Sequence, residues 1–164
     1  MIVTINTDAS FSAKHKVGSF AFWIVCDQGK IAKSGILRRK VGKPDIAEFR
    51  CVINALHVLI NSDFTGITRI IFNTDCLNVC HLMQGNKREI NKYSLGPWGH
   101  YLVTVFNETL KQSRLKKCQI EFRHVKAHVS TDTARQWVND WCDKEAKKQI
   151  AIAIKSKLLT INKK

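Results

Sequence analysis

The chain has 164 residues, 45% of them apolar and 24% charged, which is one domain's length with enough apolar residues for a core and excludes a largely disordered chain. Twenty-seven Lys and Arg against 13 Asp and Glu leave a net charge of +14, so the expected partner is a polyanion. No apolar run approaches the ~18 residues of a membrane span, and the six cysteines hold no Cys-x-x-Cys pair, which excludes a spanning protein and argues against a disulfide scaffold.

The charge is not confined to the tail. Seven lysines in 144–164 face only Glu145, and the rest of the chain still sums to +8. A nucleic acid is the expected partner, with an anionic membrane surface or simple solubility as the alternatives. No signal peptide is recognisable before the first apolar run, and Cys26, Cys51, Cys76, Cys80, Cys118 and Cys142 read as core thiols. The expected setting is therefore reducing, intracellular and cytoplasmic. Cys76, Cys80 and His81 make half a zinc site at most, because no second ligand pair has matching spacing.

In chain order, VTINTD (3–8) predicts a first strand ending near Asp8. GSFAFWIVC (18–26) predicts a central strand and KIAKSGILR (30–38) a weaker third, joined by short turns as an antiparallel meander. After Lys43-Pro44-Asp45, the apolar residues Phe49, Val52, Ile53, Leu56, Leu59 and Ile60 recur at helical spacing. Gly66 breaks that run, and ITRIIFN (67–73) predicts a fourth strand. Strand, helix, strand is a crossover, so strands one and four are expected to run parallel. A short helix over 76–84, a loop over 85–98 and a helix over about 99–113 follow. CQIEFRHV (118–125) alternates as a fifth strand, and a last helix runs from about 136 past 150 into a basic tail (about 150–164) whose final residues fray. The predicted architecture is a single α/β domain over 1–164, a mixed five-stranded sheet flanked by helices.

Two apolar strands, 67 positions apart, end on the same triplet, Asn-Thr-Asp. Side by side they would set Asp8 against Asp75, and like charges so placed share a proton or bind a cation. Taken singly, Asp8 reads as a turn former and Asp75 as a helix N-cap. Glu48 follows Asp45 at capping-box spacing, so capping and metal ligation compete for one side chain. Asp140 and Asp143 share a helical face with Lys144 and Lys147 as i, i+4 partners; Asp143, between Trp141, Cys142 and Ala146, is the better candidate for a crowded site. HVKAH (124–128) lacks the Glu of a zinc protease helix, and His128 suits proton shuttling near neutrality, with an idle surface histidine as the alternative.

The acids Asp8, Glu48, Asp75 and Asp143 in this order, with Val125-Lys126-Ala127-His128 before Asn139, Cys142-Asp143 and Ala146, resemble the type 1 ribonuclease H family from residue 2 to about 150. The resemblance implies a ribonuclease H-like sheet in the order 3-2-1-4-5 with strand two antiparallel. It implies a Mg²⁺-dependent endonuclease that cuts the RNA strand of RNA/DNA hybrids with two ions about 4 Å apart, Mn²⁺ being able to substitute. By the same resemblance Asp8 bridges both ions, Glu48 and Asp75 hold the leaving-group ion, and Asp143 holds the ion carrying the attacking water. His128 assists proton transfer or product release, Ser10 and Lys126 contact substrate, and the products carry 5′-phosphate and 3′-hydroxyl ends. A monomer suffices for this.

The chain also departs from the family. FSAKHK (11–16) replaces a Gly-rich loop, and Pro44 and Leu77 stand where the family places an Asn and a Gln that read RNA 2′-hydroxyls. The basic segment between the two middle helices is short, with Lys87, Arg88 and Lys92, and the C-terminal lysines offer a second phosphate grip. Because the 2′-hydroxyl separates RNA from DNA, a nuclease of the same fold acting on branched or single-stranded DNA stays open as an alternative. So does a non-catalytic nucleic-acid-binding protein of that fold.

Overall fold

A computed structural model describes residues 1–38, 41–85, 96–125 and 134–161. In chain order the elements are β1 (Ile2–Ser12), β2 (Val17–Cys26), β3 (Gly29–Ile36), α1 (Pro44–Ile60), β4 (Arg69–Thr74), α2 (Leu77–Met83), α3 (Gly96–Lys111), β5 (Gln119–His124) and α4 (Ala134–Ile161). The five strands form one sheet in the order β3-β2-β1-β4-β5. β2 is antiparallel to β1 and β3, and β4 is parallel to β1 and β5. The parallel β1 and β4 are those expected from the crossover 44–74, and the order with β2 antiparallel is the one the family resemblance implies.

Alternation along β1 and β4 divides their side chains between two layers. Val3, Ile5, Ile70 and Phe72 join the main core under α1, with Phe49, Val52, Leu56 and Leu59 of that helix. Phe72 stacks on Phe122 of β5 at 4.8 Å and meets Phe106 of α3 edge-on at 5.8 Å. On the opposite face α4 lies across β1 and β2, where Cys142 and Ala146 bury Ala21 and the Ser19 hydroxyl donates to Ala146 O at 2.6 Å.

Three boundaries differ from expectation. β1 does not end near Asp8 but runs on to Ser12, because its ladder to β2 continues through Asp8↔Ala21 to Ser12↔Val17 while its ladder to β4 stops at Thr7↔Thr74. α3 begins at Gly96 rather than about 99, since a proline at the second position of a helix needs no backbone donor there. α4 extends through Ile161, into the stretch expected to fray. The expected loop 85–98 falls largely outside the described residues, as do Lys87, Arg88 and Lys92.

The C-terminus of α1 is closed by a distant side chain. Helix ends leave carbonyls without intrahelical donors, and the Arg114 guanidinium donates to Leu59 O (3.1 Å), Ile60 O (2.9 Å), Ser62 O (2.7 Å) and Phe64 O. Arg114→Ala takes this donor from Ile60 O, Ser62 O and Phe64 O, while Leu59 O keeps the Ser62 hydroxyl, and is expected to lower stability by roughly 2–3 kcal/mol. Arg114→Lys should recover only part of that, because an ammonium lacks the planar fork. Urea denaturation curves of the three proteins check both.

Candidate active site

The parallel register decides the site. Asn6 pairs with Asn73 and Thr7 with Thr74, so the two triplets lie level and Asp8 and Asp75 emerge side by side where β4 ends. Glu48 reaches the same place from α1, its Oε1 accepting from the Ala9 backbone N–H at 3.1 Å. Among the described residues, Asp8, Glu48 and Asp75 form the group whose ligand oxygens all lie within 4.8 Å of one another.

Glu48 does not cap α1. The helix starts at Pro44, with Lys43 as its N-cap residue and no side-chain cap, so Glu48 is already its fifth residue and turns inward. Asp45 points away from the helix end, accepting from Asn78 Nδ2 at 2.7 Å and the Cys76 thiol at 3.8 Å. Cys76, not Asp75, is the N-cap residue of α2, and its N–H donates to Thr74 Oγ1 at 3.1 Å.

Three carboxylates this close repel strongly; at an effective dielectric of 20, each ionised pair stands at about 3–4 kcal/mol. Burial first, then the charges of Asp75 and Asp143, push the Asp8 carboxyl up from 3.8 to about 8. Burial, then Asp8 and Asp75, push Glu48 well up too. Glu48 Oε2 is buried without a hydrogen-bond donor. A proton shared with Asp8 would give it one, and a cation would serve both oxygens without a proton.

Asp143 stands outside the tight triad but close enough for its charge to act on Asp8. Lys147, one turn on, donates to its Oδ2 at 2.8 Å, and that bond pushes the Lys147 ammonium up. Asp140 pairs instead with Lys144 at 2.6 Å on the more open side of α4. Ser10 lies on β1 beyond Asp8, opposite Ser19. Lys126 and His128 fall outside the described residues, while His124, at the end of β5, bonds through Nε2 with Asp75 O at 3.1 Å.

All six cysteines are free. Cys51 and Cys142 pack below the acids, donating to Ala21 O (3.2 Å) and Asn6 O (3.7 Å). Burial and the neighbouring carboxylates push the thiols of Cys51, Cys76 and Cys142 up, which leaves them as unreactive packing groups. Among the described residues neither they nor His81 join a metal-ligating group.

The model of the RNase H family matches residues 1–151. The chain belongs to the RNase H family. It is a ribonuclease H enzyme, and its fold agrees. RNase H1 of the halophilic archaeon Halobacterium salinarum NRC-1 superposes with a TM-score of 0.64 at 16% identity, covering 92% of this chain and 98% of the other. The N-terminal RNase H domain of a Mycobacterium tuberculosis protein, solved as a fusion with maltose-binding protein, gives 0.68 at 16% identity over 95% and 98%. LC11-RNase H1, solved in complex with an RNA/DNA hybrid, gives 0.68 at 14% identity over 93% and 99%. No curated protein matches the sequence.

In this RNase H the donor set fits a hard divalent cation. It offers carboxylate oxygens only, one of them buried without a donor, in a site whose burial and mutual repulsion disfavour bare charge. The positions expected to read 2′-hydroxyls present Pro44 at the start of α1 and an exposed Leu77 at the start of α2.

The shift of Asp8 makes metal-free stability depend on pH. The unfolded side chain ionises near 3.8 and the folded one near 8, so between these values the folded RNase H holds the extra proton. This contribution is fully present below about pH 4 and is lost as pH rises towards 8. In EDTA, Asp8→Asn should flatten that slope and melt roughly 5–10 °C above the natural chain at pH 8. Melts of both proteins from pH 5 to 8 test it, and equal slopes would refute the assignment.

Proposed function

We propose that this RNase H is a Mg²⁺-dependent endonuclease hydrolysing the RNA strand of RNA/DNA hybrids. The observation that carries the reading is the close triad of the buried Asp8 with the half-buried Glu48 and Asp75, where the parallel pairing of β1 and β4 ends beneath α1, in a chain of this family. Asp8, Glu48, Asp75 and Asp143 hold two divalent ions, Mg²⁺ by preference for hard oxygens and Mn²⁺ as a substitute. When bound, such ions supply Lewis acidity at the scissile phosphate.

The chain's own residues prepare that chemistry. The Ala9 N–H fixes one oxygen of Glu48 and leaves the other facing the site. Lys147 neutralises part of the charge on Asp143 and orients its carboxylate. The net charge of +14 draws in a polyanion; Ser10 and Lys126 are the proposed substrate contacts, and His128 the proposed group for proton transfer or product release. A hybrid as substrate is supported by the LC11-RNase H1 complex. Six unpaired thiols agree with a reducing, cytoplasmic setting, and a monomer suffices. No helix among the described residues is long and apolar enough to cross a membrane.

A second reading, a nuclease of this fold acting on DNA, is favoured by one observation. Pro44 has no side-chain donor and Leu77 is apolar and exposed, so neither reports a 2′-hydroxyl. Labelled RNA/DNA hybrid, duplex DNA, single-stranded RNA and duplex RNA, each with and without Mg²⁺, separate the readings. Hybrid cleavage leaving 5′-phosphate ends is expected; cleavage of DNA with hybrid untouched overturns the substrate. Asp8→Asn should reduce cleavage on the order of 10³-fold or more with little change in hybrid affinity. A chain that binds hybrid but never cuts it, with any divalent ion, is a binding protein and overturns the enzymatic reading.

A further inference from the structure

Directly behind the acids lies a layer of asparagines. Asn6 shares a sheet face with Asp8, two residues on in β1; Asn73, opposite Asn6 in β4, precedes Asp75 by two residues, and Asn139 precedes Asp143 by one helical turn. All three are buried. Asn73 Nδ2 donates to Asn6 Oδ1 at 3.1 Å, across the pair that the parallel register sets opposite. On this face the β1–β4 interface reads Ile2–Arg69, Thr4–Ile71, Asn6–Asn73, and the amide bridge lies immediately beneath the acids.

Parallel strands slip most easily by two residues, because a slip of one exchanges core and solvent faces while a slip of two preserves them. On the α1 side the same slip would set Ile5 beside Ile70 and Thr7 beside Phe72, a mismatch of one hydroxyl rather than of a whole amide. On the α4 side one slip by two would place Asp8 beside Asn73 and Asn6 beside Ile71. That relieves the repulsion between Asp8 and Asp75, so the site's own charge pulls the strands out of register. It also leaves the Asn6 amide against an isoleucine without its partner, an unmet buried polar group.

We propose that the Asn6–Asn73 amide bridge is a register lock: these are positioning residues that keep Asp8 and Asp75 level against their repulsion, so that both serve one metal site. This rests on the metal-dependent reading above. The bridge lies one residue pair behind the acids and brings no carboxylate to the site. It acts through the backbone of β1 and β4, where the Thr7 hydroxyl adds a weaker tie to Asn73 O at 3.5 Å. A buried polar pair of this kind selects one pairing among several that an all-apolar interface would permit.

The test uses the full chain with Asn6→Val plus Asn73→Val, which removes the bridge but leaves no unmet amide, and Asn6→Thr plus Asn73→Thr, which retains a cross-strand hydrogen bond. Mn²⁺ affinity is read by calorimetry, melting in EDTA by circular dichroism, and kcat separately from KM on hybrid. The valine pair should fold and melt near the natural chain, bind Mn²⁺ about 10-fold or more weakly, and lose kcat with KM unchanged. The threonine pair should hold affinity within about 3-fold. Valine-pair affinity equal to that of the natural chain, or a threonine pair as weak as the valine pair, overturns the lock. Should the valine pair not fold, Asn6→Val alone, which breaks the bridge from one side, takes its place, and Mn²⁺ affinity equal to that of the natural chain overturns the lock. If the natural chain itself binds no Mn²⁺, the metal reading fails and the lock with it, an outcome distinct from equal binding by all three proteins.

Discussion

Repulsion among Asp8, Glu48 and Asp75 is the constraint around which the rest of the molecule is organised. Three carboxyl groups with ligand oxygens within 4.8 Å would separate in a flexible chain. Here each is tied to an element that has no freedom to retreat. Asp8 lies inside a strand paired on both sides up to Thr7 and to β2 beyond it, Asp75 lies one residue past the end of a buried strand, and Glu48 is on a helix whose inner face is core. The apolar bed does double duty, since the burial that holds these elements rigid also pushes the Asp8 and Glu48 carboxyls up. A site that disfavours its own ionised form in this way is prepared for a cation.

The sheet order follows from the same need. β1 in the centre, antiparallel to β2 and parallel to β4, allows β1 to run four residues beyond Asp8 on one side while its neighbour on the other stops level with Thr7. The end of β4 therefore opens a gap at the carboxyl edge of the sheet, where open α/β sheets form their sites. α1 closes the gap from one face with Glu48, and α4 lies across the other with Asp143. Arg114 anchors the far end of α1 by its carbonyls, so the helix that presents Glu48 is held at both ends.

Much of this was legible in the residues. Period-two and helical spacing located every described strand and helix to within a few residues, and the strand–helix–strand run predicted parallel β1 and β4. The repeated Asn-Thr-Asp marked both strand-borne acids. Glu48 was ambiguous because the spacing Asp45-x-x-Glu48 serves a capping box equally well; the ambiguity lifts only when Pro44 is seen to open the helix, which carries Glu48 past the first turn. The limit of β1 was missed for a related reason. Strand ends are set by partners, and β2 continued where β4 stopped. The Asn of each triplet was in plain view, but nothing local says that two amides 67 positions apart share a hydrogen bond.

Composition and order alone determined that this chain is a basic α/β protein carrying four acids on the elements the RNase H family uses, because periodicity and charge are properties of neighbouring residues. Tertiary structure alone decided that Asp8, Glu48 and Asp75 share one pocket while Asp143 stands beside it in the grip of Lys147, and that Glu48 faces inward rather than capping. The reason is physical: a carboxyl group's role depends on burial and on which charges face it, and both are set by register and packing between segments far apart in the chain.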